Sequence, residues 1–118
     1  MRNFKELKIW QKGMDKAVNC YKIIAGFPKE EKFGLSTQLT RAAVSIPSNI
    51  AEGSSRTSSK DYNRFLEMSL GSSFEMETQL MIAEAVNFGE KEKRADLLKE
   101  IDEEQKMLMS FMSKLHQL

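Results

Sequence analysis

Residues 34–54 read GLSTQLTRAAVSIPSNIAEGS. Leu35, Leu39, Ala42, Ala43, Ile46, Ile50 and Gly53 recur at three- and four-residue steps, the spacing of one apolar face of an α-helix. Pro47 falls inside that pattern, where proline removes a backbone donor and strains the preceding turn. The apolar phase carries through Pro47 unchanged, so a kinked but continuous helix is expected rather than two short ones.

Working outward, the residues before and after this segment are punctuated in the same manner. On the N-terminal side a helix is expected from about Phe4 to Ala25, with Leu7, Trp10, Met14, Ala17, Val18, Tyr21 and Ile24 as its apolar face. Gly26, suited to a left-handed C-terminal geometry, and Phe27-Pro28 form its stop. On the C-terminal side Ser54–Ser59 is a serine-rich turn, and Ser58 with Asp61 has capping-box spacing. A third helix then runs to about Asn87 and stops at Gly89, and a fourth begins near Glu90. Leu97, Ile101, Leu108, Phe111, Met112 and Leu115 mark the apolar side of the fourth helix, and its other face alternates charges. Four helices of similar length with short connections imply an all-α, up-and-down antiparallel four-helix bundle, and 118 residues make it a single domain, 1–118.

Composition narrows the function. The lone cysteine, Cys20, has no internal disulfide partner, and no apolar run has signal-peptide or membrane length, so a cytoplasmic protein is expected. The net charge of +1 is too small for a dedicated polyanion binder. Its distribution is uneven: residues 1–66 carry 12 Lys/Arg against 6 Asp/Glu, and residues 67–118 carry 6 against 11. The sequence has one histidine, His116, so it lacks the paired Glu-x-x-His motifs of a di-iron bundle and the ligands of a usual zinc site. Nor does it contain a Gly-rich phosphate loop. Glu75 and Glu77 stand two apart on a helix and diverge instead of converging as a catalytic pair. No enzyme activity, metal or cofactor is expected.

Three surfaces exceed what a monomeric bundle needs. The third helix carries Met68, Leu70, Phe74, Met76, Leu80, Met81, Ile82, Val86 and Phe88 around much of its circumference. Either a generous core stripe or a subunit interface explains this. The second helix has a polar stripe of Gln38, Arg41, Ser45, Ser48, Asn49 and Glu52 beside its apolar face. Glu75, Glu77 and Gln79 on the third helix are candidate partners for it, with the Arg41 guanidinium able to pair with a carboxylate. A solvated face is the other reading. On the first helix Lys5, Lys8, Lys12 and Lys16 step by three, four and four, opposite Trp10 and Met14. This row either follows nucleic-acid phosphates or is merely solvated. Ile9, Cys20 and Ile23 lie near the same side and point to a protein contact instead.

The stretch RAAVSIPSNIAEGSSR, residues 41–56, is specific enough to carry a resemblance. With Phe27-Pro28 before it and Gly71-Ser72 and Glu75–Leu80 after it, the chain resembles the four-helix-bundle proteins encoded by intervening sequences of bacterial 23S ribosomal RNA genes, sometimes labelled S23 ribosomal proteins. That resemblance implies a ring-like homo-oligomer, a pentamer, and kinship with the accessory variability protein of retroelements, which partners a reverse transcriptase and nucleic acid. It places Arg41, Ser45, Asn49, Glu52, Glu77 and Gln79 in the family's polar motif, as a network for packing or assembly. Ser73 departs from the family pattern, which is more often apolar there. The implied role is an accessory to nucleic acid or a ribonucleoprotein, against the alternative of a protein–protein scaffold with no nucleic-acid role. No small-molecule substrate and no membrane association is expected.

Overall fold

The computed structural model describes residues 3–116. A 3-10 turn, Phe4–Glu6, is followed by α1, Lys8–Ile24; a second 3-10 turn, Lys29–Glu31; α2, Leu35–Ser54; α3, Ser59–Ala85; and α4, Lys91–His116. Each helix packs on the next, and α4 closes back onto α1, so the four form a square in which the diagonal pairs do not meet. The rod measures 46 × 23 × 20 Å, its long dimension matching roughly 39 Å for a 26-residue helix plus its connections. The all-α four-helix bundle expected from the sequence is the fold observed.

The boundaries follow from local chemistry. Leu7 is extended (φ −76°, ψ 128°) and separates the first turn from α1, so the helix expected from Phe4 begins four residues later. The turn is tied on by Gln11 Nε2, which donates to the Lys5 carbonyl at 2.9 Å. Gly26 is not left-handed as expected; α1 instead tightens through Gly26 N to Ile23 O at 3.0 Å and Phe27 N to Ile24 O at 2.9 Å before Pro28 stops it. The second helix runs unbroken through the buried Pro47. At the start of α3, Ser58 Oγ accepts from Asp61 N at 3.1 Å, the cap its spacing announced. After α3 the chain turns through Asn87 (φ 60°) and Gly89 (φ 79°). A side chain at Gly89 would come within 2.9 Å of the Phe27 ring, so both conformation and space require glycine there. Arg94, buried on α4, clamps this turn by donating from Nη1 to the carbonyls of Phe88 (2.6 Å) and Gly89 (2.7 Å).

Leu39, Ile46 and Ile50 of α2, Leu66, Met76 and Leu80 of α3, and Leu97, Ile101 and Leu108 of α4 form the fully buried core. Ser73, the position that departs from the family's pattern, is also fully buried; its hydroxyl donates to the Leu70 carbonyl, so it costs no unpaired group. The first helix contributes Ile9, Gly13, Lys16, Ala17, Cys20 and Ile23. The buried face is rotated from the one the sequence pattern suggested: of the expected residues Ala17 is core, and Leu7, Trp10 and Ile24 pack against the core half-buried. Met14, Val18 and Tyr21 are exposed, and Ile9, Cys20 and Ile23, expected at an external contact, are core. The apolar surface of α1 spans two stripes, and the buried one contains a glycine and a lysine.

Candidate functional site

The polar stripe of α2 divides among several environments. Asn49 Nδ2 donates to the Ser45 carbonyl (2.9 Å) and the Ser45 hydroxyl (2.8 Å), and Ser72 of α3 donates to the same hydroxyl at 2.8 Å. Glu52 is exposed and pairs with Arg56 at 3.3 Å, four residues on. Ser48 is exposed, as are Gln38, Arg41 and Glu75, and among the described residues the side chains of the last three make no hydrogen bond or ion pair. The expected pairing of Arg41 with an α3 carboxylate therefore does not occur within the chain. Glu77 turns the other way, accepting from Gln105 Nε2 of α4 at 2.9 Å, because residues two apart on a helix point about 200° from each other. Gln79 is buried and its Oε1 has no partner. The stripe is thus a Ser45–Asn49–Ser72 cluster bordered by unpaired Gln38, Arg41 and Glu75.

The lysine row is shorter than its spacing suggested. Lys5, Lys8 and Lys12 are exposed, but Lys16 is only 3% exposed. Each four-residue step advances a side chain about 40° around an α-helix, so a row that starts at the surface drifts into the α4 seam by Lys16. There its ammonium donates to the Lys12 carbonyl at 3.1 Å and lies 3.8 Å from Glu104 Oε1 of α4.

Glu104 is the functional-grade residue that the sequence reading missed. It is 0% exposed, and neither carboxylate oxygen has a hydrogen-bond partner. The charged run Asp102-Glu103-Glu104 made it look solvated, yet it stands in phase with Leu97, Ile101 and Leu108, which was the available signal. Gly13 lies against it: a side chain at Gly13 would approach Glu104 Oε2 and Ile46 Cγ2, each at 3.4 Å, and Pro47 Cβ at 3.5 Å. Burial pushes the Glu104 carboxyl up to about 7, against the opposing pull of Lys16. Cys20 is fully buried, and burial pushes its thiol up to about 12, which makes it an inert core group.

Apolar surface remains after the core is filled. Between α1 and α2 an open groove is floored by Trp10, Met14, Val18, Tyr21, Val44 and Pro47, and Tyr21 is 57% exposed. On α3 Met68, Phe74, Met81 and Ile82 are all exposed, and Val86 just beyond them is exposed as well. Because α1 and α3 occupy diagonal corners of the square, their outer faces point away from each other. Among the described residues no cluster of three or more His, Cys, Asp or Glu side chains can hold a metal ion, and no helix is long and apolar enough to cross a membrane.

The fold and these surfaces define a small antiparallel four-helix-bundle protein with one buried ion pair and apolar faces at two corners. Residues 5–110 match the family model described as 23S rRNA-intervening sequence protein, and the chain belongs to that family. Its fold is similar to the crystal structure of a protein of unknown function from the S23 ribosomal protein family of Bacteroides thetaiotaomicron VPI-5482, with a TM-score of 0.79 and 24% identity over 88% of this chain and 97% of that one. No curated protein matches the chain.

Proposed function

We propose that this protein is a non-catalytic scaffold that assembles with copies of itself, the α1–α2 groove of one subunit receiving the outer face of α3 from the next. The observation that carries this reading is the pair of exposed apolar surfaces at different corners of the bundle. Contiguous exposed apolar surface of this kind marks interaction sites. Two different surfaces that fit each other make a heterologous contact, which closes into a ring when the rotation permits. Five subunits is the number that the family resemblance implies. Charge supports the match: α3 has no Lys or Arg after Arg64 and presents exposed Glu67, Glu75 and Glu84, while exposed Arg41 stands on α2, the helix that forms one wall of the groove. Arg41 and Glu75, unpaired in the single chain, then meet between subunits.

Charge reversal tests this contact. Arg41→Glu and Glu75→Arg should each weaken assembly at least tenfold in sedimentation equilibrium, and the double variant should regain most of it, because like charges across an interface repel and the swap restores attraction. Singles that assemble as tightly as the parent protein refute the arrangement.

A second reading, an accessory that contacts nucleic acid, is supported by one observation: Lys8 and Lys12 are exposed on the side of α1 away from the groove, and Lys5 is exposed on the 3-10 turn that precedes it. Three cations bind weakly alone, but a ring repeats them and raises the effective concentration. Binding to a single-stranded RNA should then fall steeply with salt, with a log–log slope near −0.7 per phosphate neutralised, and should be lost when all three lysines become glutamine. An RNA affinity that is absent at low salt eliminates this reading without touching the assembly.

A further inference from the structure

We propose that Lys16 is a proton-controlled side chain: ionised Glu104 holds its ammonium inside the α1–α4 seam, and protonation of Glu104 releases it to the outer cleft of that seam. The geometry is poised rather than locked: the ammonium's hydrogen bond goes to the Lys12 carbonyl of its own helix, and only charge attraction draws it to Glu104. The two charged groups lie 3.8 Å apart, beyond hydrogen-bond reach, and the Glu104 oxygens have no other partner. Lys16 also lines a cleft of about 380 Å³ that opens to solvent between α1 and α4. Asp15, Glu100 and Glu103 line the same cleft together with Lys12, Asn19 and Lys22, so an ammonium released there finds water and three carboxylates against two other cations. Asn19 Nδ2 donates to Glu100 Oε2 at 3.3 Å across it, holding the helices together whichever position Lys16 takes.

The proton balance is simple. Glu104 takes a proton from solvent, the buried ion pair becomes a neutral acid and a lone ammonium, and a lone buried ammonium is strongly disfavoured. A lysine stem reaches the surface while its methylenes stay packed, so the charge leaves and the bundle remains. The groups facing Glu104 set where this happens. From α1 they are Lys16 and Lys12, which favour the carboxylate, and Asp15, which opposes it. At this level α2 presents Ile46 and Pro47, which are apolar. Glu77 of α3 is engaged by Gln105, the neighbour of Glu104 on α4. Burial outweighs the lysines and sets the transition near pH 7.

Outside, Lys16 extends the row of Lys8 and Lys12, so acidification adds one cation to that face of α1. The switch lies on the α1–α4 seam, not in the α1–α2 groove, so it stands or falls independently of the assembly.

The test is pulsed acylation of the full chain with an amine-reactive reagent, read by mass spectrometry as the ratio of Lys16 to Lys60 labelling. Lys60, exposed on α3 and outside the cleft, serves as the internal reference for the pH dependence of amine reactivity. The ratio should rise at least tenfold between pH 8.5 and pH 6, and the ¹³C resonance of the Glu104 carboxyl should titrate with the same midpoint near 7. In Glu104→Gln, which mimics the protonated acid, the ratio should be high at both pH values. A ratio that stays constant across this range in the folded parent protein, or a Glu104 midpoint near the ordinary 4.5, overturns the proposal. The parent-protein titration decides the matter even if Glu104→Gln fails to fold.

Discussion

Lys16→Met should destabilise the protein by about 1–2 kcal/mol at pH 8, because it removes the cation that offsets the burial of Glu104 and leaves the acid to take up a proton instead. The pH dependence is part of the expectation. The Glu104 carboxyl is raised from 4.5 to about 7 in the folded chain, so folding favours its protonated form. Its contribution to stability is therefore fully present below about pH 4.5 and is lost as the pH rises through 7. Without Lys16 the acid has still less reason to ionise, so most of the loss should disappear at pH 5. The double variant Lys16→Met, Glu104→Leu removes both charges and keeps apolar volume, and it should be as stable as the parent or more so. Denaturant unfolding of the three variants at pH 5 and pH 8 measures all of this. A single variant as stable as the parent at pH 8 would mean that water reaches Glu104 freely.

Gly53→Ala should cost about 2–3 kcal/mol even though alanine is the better helix former. The first carbon of a side chain there would lie 2.7 Å from Phe65 Cβ, 3.1 Å from Tyr62 Cδ1 and 3.3 Å from the Tyr62 carbonyl oxygen. Two of those three atoms are fixed to the backbone of α3 and cannot rotate aside. The end of α2 and the start of α3 would have to separate, and this is the corner where Tyr62 and Leu66 are buried. Gly26 is the control: its nearest neighbours would lie at 3.6 and 3.7 Å, so Gly26→Ala should change stability by no more than about 0.5 kcal/mol. Thermal unfolding of both variants distinguishes a close helix approach at Gly53 from a general intolerance of substitution.

These positions show what a sequence can and cannot disclose about such a bundle. The second helix was legible because its apolar residues keep one phase from Leu35 to Gly53, and the start of α3 was legible because Ser58 and Asp61 form a local cap. Such signals depend only on neighbours in the chain. The first helix was read only in part: Ala17, Leu7, Trp10 and Ile24 do meet the core, but the buried face is centred on a stripe that carries Gly13 and Lys16, residues foreign to a core. Gly13 is buried because Ile46, Pro47 and Glu104 close over it, and Lys16 fits because Glu104 waits across the seam. Both reasons come from other helices. Arg94 was hidden in the same way: it reads as one more surface charge on α4 until the Phe88 and Gly89 carbonyls of the turn come within its reach. The proposed α3 partners of the α2 polar stripe project in different directions, so of its residues Ser45 alone bonds an α3 side chain, Ser72, while Asn49 bonds back to Ser45 within α2.

The self-assembly reading rests on apolar surface at two corners, and the mass of the particle in solution probes it most directly. Light scattering coupled to size-exclusion chromatography at tens of micromolar should report one closed oligomer, an integral multiple of 13.5 kDa with five subunits favoured. Tyr21→Glu, which puts a charge in the α1–α2 groove on a side chain outside the core, should shift that mass to the monomer while leaving the helical circular dichroism intact. A parent protein that elutes as a stable 13.5 kDa monomer at that concentration would contradict the assembly outright.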